Sequence, residues 1–351
     1  MSKTPQLLED LLRAPAPSGY EGPASEVWRR GASFASLTTD ALGSSVARIG
    51  ANEAAPLLAV VGHIDEIGLV ITHVDEKGFL YFAPIGGWDA QILIGQRVQV
   101  QTKEGAVAGV IGRKPIHLLK EDQRKKVVEL REMHIDIGAA DEDEALERVR
   151  IGDPVVIAAD PVLLGSGRLV SRSLDNRLGA YVALEALRLV HERDGFEGRM
   201  AAVAAVQEEI GSKGATTTAF SLEPDLALAV DVTHATDAPG VEEKEVGRHP
   251  LGSGPVIGRG STLSPQIFEL LTQAAERLDA PYSVEASGRA TWTDADAIQI
   301  SRAGVPAGLI SIPLRYMHSP VEMVDLTDVQ ATIELIAAFA AALEPGLDLS
   351  R

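Results

Sequence analysis

Cysteine is absent from this 351-residue sequence, which excludes disulfides, thiolate metal ligands and cysteine nucleophiles. Aromatic residues make up only 4% of the chain, which is little for a sugar-stacking surface. Positive charge is also scarce, since 32 lysines and arginines face 50 aspartates and glutamates for a net charge of −18. That balance argues against nucleic acid and anionic membranes as partners. Any metal site must therefore be built from histidine, aspartate and glutamate.

Long hydrophobic runs are also lacking, as none approaches the roughly 18 residues of a membrane span. Residues 1–19 have the pattern of a short amphipathic helix rather than a signal peptide, because no apolar core follows the basic residue. A hydrophobic content of 45% with 23% charged residues is typical of a globular protein. We therefore expect a cytoplasmic protein with one large domain plus an insertion, or with two domains.

The middle of the chain differs from its two ends in the pattern of apolar and polar residues. Residues 69–163 carry short alternating runs, such as Val98 and Val100 between polar neighbours, with turn signals at Gly78 and Gly105. This pattern predicts a small antiparallel sheet or barrel. Residues 1–68 and 164–351 instead alternate apolar strands with amphipathic helices, including one predicted over residues 174–192. The sequence thus predicts an α/β fold in which a mixed-sheet αβα domain is interrupted by an inserted β-barrel domain.

Ionisable side chains follow four separate apolar strands. In the stretch VVGHIDEIG, a strand over residues 56–61 is followed by a histidine and two carboxylates. Similar strand ends occur in AAVAAVQEEIG, LALAVDVTH and GLISIPLRYMHS, while LDNR places an aspartate at a helix start. Sites in open α/β sheets form outside the carboxyl ends of the strands. The candidate residues at this edge are His63, Asp65, Asp175, Glu208, Glu209, Asp231 and His318.

Each of these residues also has an ordinary structural explanation. Asp175 could be a helix N-cap, the glutamate pair a solvated rim, and a lone histidine a structural residue. Together, however, they favour a two-metal hydrolase, in which two divalent ions hold a carbonyl oxygen and a nucleophilic water. Mixed nitrogen and oxygen ligands suit zinc, cobalt or manganese. A carboxylate that binds no metal can move the proton, and Asp65 is placed to orient the imidazole of His63.

The ordered motifs resemble those of the TET-type aminopeptidases over nearly the whole chain. These are tetrahedral, cocatalytic-metal enzymes that include glutamyl and deblocking aminopeptidases, and some relatives are labelled endoglucanase or cellulase. The resemblance is carried by the motifs PSGYEGPASEVW, GHIDEIG, VIGRKPIH, HIDIGA, SLDNRLGAY, QEEIGSKGA, AVDVTHATD, LGSGPVIGRG, TDADAIQISRAGVP and RYMHSPVEMVDLTDV.

The resemblance implies a ligand set for two divalent metal ions per subunit. His63 and Asp231 would bind one ion, while Glu209 and His318 would bind the other. Asp175 would bridge the two ions.

The resemblance also implies an activity and an assembly. Glu208 would be the general base, and Asp65 would be the hydrogen-bond partner of His63. The substrates would be short peptides with a free N-terminus. The inserted domain would mediate dimerisation, and dimers of this kind commonly build a tetrahedral dodecamer.

One residue departs from the family pattern. Relatives usually have a glycine before the TDA motif, whereas this chain has Trp292 before Thr293. A bulky ring at this position bears on substrate specificity more than on catalysis.

Several alternatives are compatible with parts of the pattern. A carboxypeptidase or an amide deacylase could use the same two-metal scaffold. A glycosidase could use Glu208 and Glu209 as an acid pair, but the other candidate residues would then have no role. A shell protein without activity would be expected to have lost some ligands. Among the remaining histidines, His134 is interpreted as structural despite its H-x-D spacing, and His234 and His249 are candidates for contact with substrate.

Overall fold

An eight-stranded mixed sheet is the centre of the computed structural model, which describes residues 3–165, 167–193 and 195–349. Within these residues, the strands β1 to β17 are Ser36–Thr39, Ser45–Ile49, Leu57–His63, Gly68–Val74, Leu80–Ile85, Arg97–Thr102, Gly105–Arg113, Met133–Asp136, Pro154–Ile157, Val162–Leu164, Arg168–Ser171, Arg199–Ala205, Leu226–His234, Val256–Gly260, Ser283–Ser287, Ala307–Leu314 and Glu322–Asp325. The α-helices α1 to α11 are Gln6–Arg13, Gly22–Gly31, Ala90–Leu93, Glu121–Arg124, Glu142–Arg148, Leu174–His191, Lys213–Leu222, Glu243–Val246, Pro265–Arg277, Asp294–Gln299 and Leu326–Ala341.

The strand order of the large sheet is β1-β2-β12-β3-β13-β16-β14-β15. Its central strands β12, β3, β13 and β16 run parallel to one another. Every residue of β3 is buried, as expected for a parallel strand covered by helices on both faces. The carboxyl ends of these four strands therefore meet at one edge of the sheet.

Alternate residues of β3 belong to the cores on opposite faces of the sheet. Leu58 and Val60 pack in a cluster with residues of α1, α2, α6, α9 and α11. Ala59 and Val61 pack in a second cluster with residues of α7 and α10. The predicted αβα layering is thus confirmed.

A closed six-stranded barrel with the order β4-β5-β8-β7-β6-β9 follows β3 in the chain. Along β6, Val98 and Val100 are buried whereas Arg97 and Gln99 are exposed, which is the predicted alternation. All six strands lie between Gly68 and Ile157, so that only Gly68 falls outside the segment predicted to be inserted, residues 69–163. The β-barrel is confirmed, while the domain boundaries at 68/69 and 163/164 stay predictions.

The structure differs from the sequence pattern in two details. Residues 235–262 have no clear helix or strand pattern in the sequence, yet they contain α8 and β14, and β14 joins the sheet between β16 and β15. Its short run is interrupted by Gly258 and Gly260, which hides the strand pattern. Asp231 was expected at the end of a strand but lies inside β13, which continues to His234 because it pairs with β16 as far as Leu314.

Helix α6 approaches the centre of the sheet very closely. A Cβ atom added at Gly62 would collide with the backbone of Gly179, and one at Gly179 would collide with the carbonyl oxygen of Val230. Two glycines thus allow the first turn of α6 to sit directly on β3 and β13. Asn176 secures this contact, since its side chain donates to the Val230 oxygen at 2.7 Å and accepts from the Gly179 nitrogen at 2.8 Å.

We expect Gly179→Ala to destabilise the fold by about 1–3 kcal/mol, because the methyl group must displace both the Val230 carbonyl oxygen and the Asn176 side chain that is hydrogen-bonded to it. Urea unfolding would measure this loss. Gly288→Ala is the matched control, because a Cβ atom there meets nothing within 4 Å. Equal stability of the two variants would contradict the packing described.

Candidate metal centre

Asp175 lies between two imidazoles that come from opposite ends of the chain. Its Oδ1 is 3.2 Å from His63 Nε2, and its Oδ2 is 3.5 Å from His318 Nε2. The same His318 nitrogen is 3.5 Å from Glu209 Oε2. Each oxygen of one carboxylate therefore faces a different histidine, which is the arrangement that a bridging ligand needs.

The other predicted residues surround the same point. Ligand atoms of His63, Asp175 and Glu209 all lie within 4.8 Å of one another, the spacing of a metal-binding group. Glu208 places its Oε2 at 3.7 Å from His63 Nε2. Asp231 borders the same cavity and is buried, with its Oδ1 accepting from the Val232 nitrogen at 2.8 Å. The fold thus brings together residues that are far apart in sequence.

A cavity of about 830 Å³ opens beside these residues. Its lining also includes Glu285 of β15, Trp292 of the segment leading into α10, and Asp296 of α10. Among the described residues that line it, none is a lysine or an arginine. The cavity is therefore acidic beyond the carboxylates of the centre itself.

Asp65 is completely buried behind the centre and does not border the cavity. Its Oδ1 lies 3.4 Å from His63 Nδ1, and the two oxygens of Asp65 accept hydrogen bonds from the backbone nitrogens of Glu208 and Glu209 at 3.1 and 3.2 Å. Asp65 therefore contacts three of the predicted site residues. It is predicted here to orient His63, and its backbone contacts extend that role to the glutamate pair.

The imidazole of His318 is oriented by a backbone carbonyl group next to the barrel. Its Nδ1 lies 2.9 Å from the carbonyl oxygen of Gly87, so a proton on Nδ1 leaves the Nε2 lone pair facing Asp175. Gly87 and its neighbour Gly86 follow β5 of the barrel, and a Cβ atom on Gly86 would press on Ile67 and approach the Glu209 carboxylate at 3.3 Å. The glycine pair lets a barrel loop reach the centre.

Burial and crowding dominate the electrostatics of the centre. Burial by itself lowers the pKa of His63, but the carboxylates around it, led by Glu208 and Asp175, raise that pKa well above its ordinary value. Burial, with the nearby charge of Asp175, raises the pKa of Glu209 and Asp231 well above the ordinary carboxyl value. Burial raises the pKa of Glu208 as well. A donor set of two imidazoles, one of them buried, and crowded carboxylates fits divalent cations, which neutralise this charge.

Sequence reasoning missed Glu322, which links two of the predicted ligands. Its buried carboxylate accepts from the Asp175 nitrogen at 3.1 Å and from the His318 nitrogen at 3.0 Å. The available signal was an acidic residue four positions after the histidine of the RYMHSPVE motif.

Asp294 of the TDAD motif was also given no role. It is buried beside the centre with neither carboxylate oxygen partnered, and burial followed by the charge of Glu208 raises its pKa to about 8.

Three other histidines lie in different surroundings. His134 packs on Phe79 within the barrel, with ring centroids 4.7 Å apart, and this agrees with its structural interpretation. His249 is fully buried, and its ring nitrogens lie 2.7 Å from Ser283 Oγ and 2.8 Å from the Val246 carbonyl oxygen. His249 is therefore held in the interior and is not among the described residues that line the cavity, whereas His234 lines it.

Trp292 stands at the rim of the cavity with 89% of its surface exposed. Its φ angle of +58° lies in the left-handed region, which favours glycine, the residue that the family resemblance leads us to expect here. Asp296 holds the turn, because its Oδ2 accepts from the backbone nitrogens of Thr291 and Trp292, each at 2.8 Å.

Comparison with known proteins agrees with this geometry. Residues 43–335 match the sequence model of the family described as M42 glutamyl aminopeptidase. A lysyl aminopeptidase of Pyrococcus furiosus is 36% identical over 348 residues, which cover 97% of each chain. The resemblance drawn from the sequence motifs is confirmed.

Solved structures show the same similarity. A TET aminopeptidase from a marine sediment archaeon, Thaumarchaeota archaeon SCGC AB-539-E09, superposes with a TM-score of 0.92 at 34% identity, covering 97% of this chain and 96% of that one. The TET1 peptidase of Pyrococcus horikoshii, described as able to assemble into a tetrahedron or a large octahedral shell, superposes with a TM-score of 0.85 at 33% identity, covering 96% and 99%.

Metal removal should make stability depend strongly on pH. The folded-state pKa values of Glu209 and Asp231 are raised, so the chelated native state keeps protons that the unfolded state releases. Their stabilising contribution is complete below the unfolded pKa, and it falls as pH rises toward their folded pKa values. A divalent ion takes the place of these protons, so its stabilising effect should grow with pH.

Thermal unfolding with chelator and with zinc, each at about pH 5 and about pH 8, would measure this difference. The free zinc concentration would be the same at both pH values and about 100-fold above the Kd at the higher pH. The stabilisation should then reach about 2.7 kcal/mol at the higher pH and be smaller at the lower pH, where protons compete for the ligands. A stabilisation by zinc that is the same at both pH values would contradict the coupling between protons and metal.

Replacing Trp292 should distinguish backbone strain from side-chain packing. We expect Trp292→Gly to be more stable than Trp292→Ala by about 1 kcal/mol, because both remove the ring but only glycine accepts the left-handed backbone without cost. Chemical denaturation of the two variants would measure the difference. If alanine is tolerated as well as glycine, the backbone strain at this position is not significant.

Proposed function

Since this chain belongs to the M42 glutamyl aminopeptidase family and is therefore a metalloaminopeptidase, we propose that it uses two divalent ions to remove residues from the free N-termini of short peptides. The observation that carries this proposal is the position of Asp175, which presents one oxygen to His63 and the other to His318. A carboxylate with two oxygens can bridge a pair of ions, and such pairs lie about 3.5–4 Å apart in two-metal hydrolases.

The positions of the residues support an assignment for each ion. Glu209 and His318, whose Oε2 and Nε2 atoms lie 3.5 Å apart, would hold one ion. His63 and Asp231, which border the same cavity, would hold the other, and Asp175 would be shared. Two imidazoles and three carboxylates suit zinc, with cobalt and manganese as alternatives. Bound at these residues, the ions would supply Lewis acidity toward the scissile carbonyl and would acidify a water molecule.

Glu208 is the residue that we propose to move the proton. Its side chain is near His63 but is not needed as a ligand, and burial raises its pKa above the ordinary carboxyl value, which is the direction that favours a general base. It would take a proton from the attacking water and return it to the leaving amine. Asp65, on the buried side of the centre, would hold His63 and the two glutamates in position.

The acidic cavity supports action at the N-terminus rather than at the C-terminus. A free α-ammonium group is attracted to the carboxylates that line the cavity. A C-terminal carboxylate would instead be held by arginine or lysine, and no such residue is among the described lining residues. The family description names a glutamyl enzyme and the relative from Pyrococcus furiosus is named lysyl, so these names leave the preferred N-terminal residue open.

We propose that the barrel mediates assembly. Residues 69–163 would form an inserted dimerisation domain, and residues 1–68 with 164–351 would form the discontinuous catalytic domain. Exposed apolar side chains on the barrel and its connections support an interface there, namely Val110, Ile116, Leu118 and Val127. A tetrahedral dodecamer built from dimers is the proposed assembly, by similarity to the TET1 peptidase.

We propose a cytoplasmic location, as expected from the sequence. Among the described residues, no helix is both long and apolar enough to cross a membrane.

A substrate panel would test the activity. Aminoacyl-anilides, free and N-blocked short peptides, and carboxymethyl-cellulose would each be incubated with the protein as purified, with chelator, and after zinc or cobalt is restored. We expect chelator-sensitive release of free N-terminal residues. Release of C-terminal residues, deacylation of blocked peptides, or release of sugar that survives chelator would each point to one of the alternative activities instead.

Glu208→Gln tests the role of the proposed base. We expect this variant to keep both ions, because no ligand is removed, while kcat falls at least about 100-fold, within the usual range for loss of a general base. Metal content by atomic emission and turnover of the preferred anilide would be measured together. Asp175→Asn is the contrasting variant and should lose metal as well as activity. Near wild-type turnover by Glu208→Gln would show that another group moves the proton.

A further inference from the structure

The turn that carries Glu208 and Glu209 presents three successive backbone N–H groups to buried carboxylates. The nitrogens of Glu208 and Glu209 donate to the two oxygens of Asp65, as described above. The preceding nitrogen, that of Gln207, donates to Glu21 Oε1 at 3.1 Å. Gln207 has a φ angle of +58°, so the turn adopts a backbone conformation that needs support from its surroundings.

Glu21 comes from the N-terminal segment, residues 16–21, rather than from the sheet edge. Only 5% of its surface is exposed, and its Oε1 also accepts from the Gly19 nitrogen at 2.6 Å. Ser18 from the same segment donates its hydroxyl to Asp65 Oδ2 at 2.6 Å. Both carboxylates that hold the turn are thus in contact with residues 16–21.

The N-terminal segment is itself fixed to the strand edge that bears His63. The nitrogen of Ala16 donates to Glu66 Oε1 at 3.0 Å, and the backbones of the segment and of Glu66 exchange two further hydrogen bonds. Glu66 is buried and pairs with Arg172 and with Arg177, the latter at 2.7 Å. Residues 16–21 are therefore held firmly enough to position other groups.

Glu21 also has an ordinary structural interpretation, because it occupies the N-cap position of α2. Its side chain makes no capping hydrogen bond to that helix, however. The carboxylate points instead toward Gly19 and Gln207. Helix capping therefore does not explain why an acidic side chain is buried here.

We propose that Glu21 is a positioning residue, which fixes the backbone at Gln207 so that Glu208 and Glu209 meet the substrate and the metal in the correct geometry. Ser18 would assist by orienting Asp65. This inference rests on the proposed function of Glu208 and Glu209. The proposal adds to the active site a residue that lies 186 positions before Gln207 in the sequence.

The test compares Glu21→Ala with Glu21→Gln and with Glu26→Ala. Glutamine keeps an oxygen that can accept from Gln207, and Glu26 is an exposed residue of the same helix. We expect Glu21→Ala to lower kcat about 10- to 100-fold with little change in KM, as small misplacements of catalytic groups do. The glutamine variant should stay within about 3-fold of wild type, since the acceptor is retained. Glu26→Ala should be unaffected.

Cobalt titration followed by visible absorption gives a second readout that does not depend on turnover. Because the same turn carries Glu209, we expect Glu21→Ala to bind cobalt about 10-fold more weakly, as loss of an orienting contact behind a ligand does. Thermal unfolding of each variant would establish the temperature range in which it is fully folded.

Three results would overturn the inference. They are wild-type kcat and cobalt affinity in folded Glu21→Ala, equal impairment of Glu21→Ala and Glu21→Gln, or a loss of kcat that disappears at temperatures where the alanine variant is fully folded. If the wild-type protein hydrolyses no aminoacyl substrate, the proposed function fails. The cobalt titration would still test whether Glu21 positions the turn that carries Glu209.

Discussion

Charge crowding around Asp175 determines how the surrounding segments are held in place. A buried carboxylate between two imidazoles, with three further carboxylates nearby, is costly to desolvate unless cations or hydrogen bonds compensate it. The chain therefore supports the centre with backbone N–H groups and rigid elements. Glu322 and Asp65 join the backbones of the ligand-bearing segments, and the glycine contact between α6 and β3 holds Asp175 against His63.

Backbone strain gathers at the same place. Ser173, Gln207, Trp292, Tyr316 and His318 all have positive φ angles close to +60°, and each lies in or next to a segment that supplies a site residue. Non-glycine residues adopt this conformation at a cost of order 1–3 kcal/mol each, which persists only where the surroundings enforce it. The buried core of the sheet supplies that enforcement, so the stability of the sheet and the geometry of the centre are linked.

Sequence reasoning placed the candidate ligands at one edge of the sheet because most of them lie at or just after the end of an apolar run, and the carboxyl ends of such strands have a known place in an α/β fold. The structure brings these residues together, and their roles as ligands stay predictions. It also predicted the barrel from the alternation in β6. It missed Glu322 because the importance of that residue depends on the backbone nitrogens of Asp175 and His318, and Asp175 lies 147 residues away in sequence. Such contacts leave no local pattern. The strand β14 was missed for a different reason, since its glycines weaken the pattern of alternating side chains.

The hydrogen bond between His318 and the carbonyl oxygen of Gly87 crosses from the barrel to the metal centre. An imidazole turns with the partner of its second nitrogen, so a shift of the barrel loop by an ångström would rotate the ligand face of His318. The barrel is also the proposed surface for contact between subunits. A neighbouring subunit that contacts the barrel could therefore shift Gly87 and, through it, the His318 ligand. We expect assembly to change metal affinity and metal binding to change assembly by the same coupling free energy.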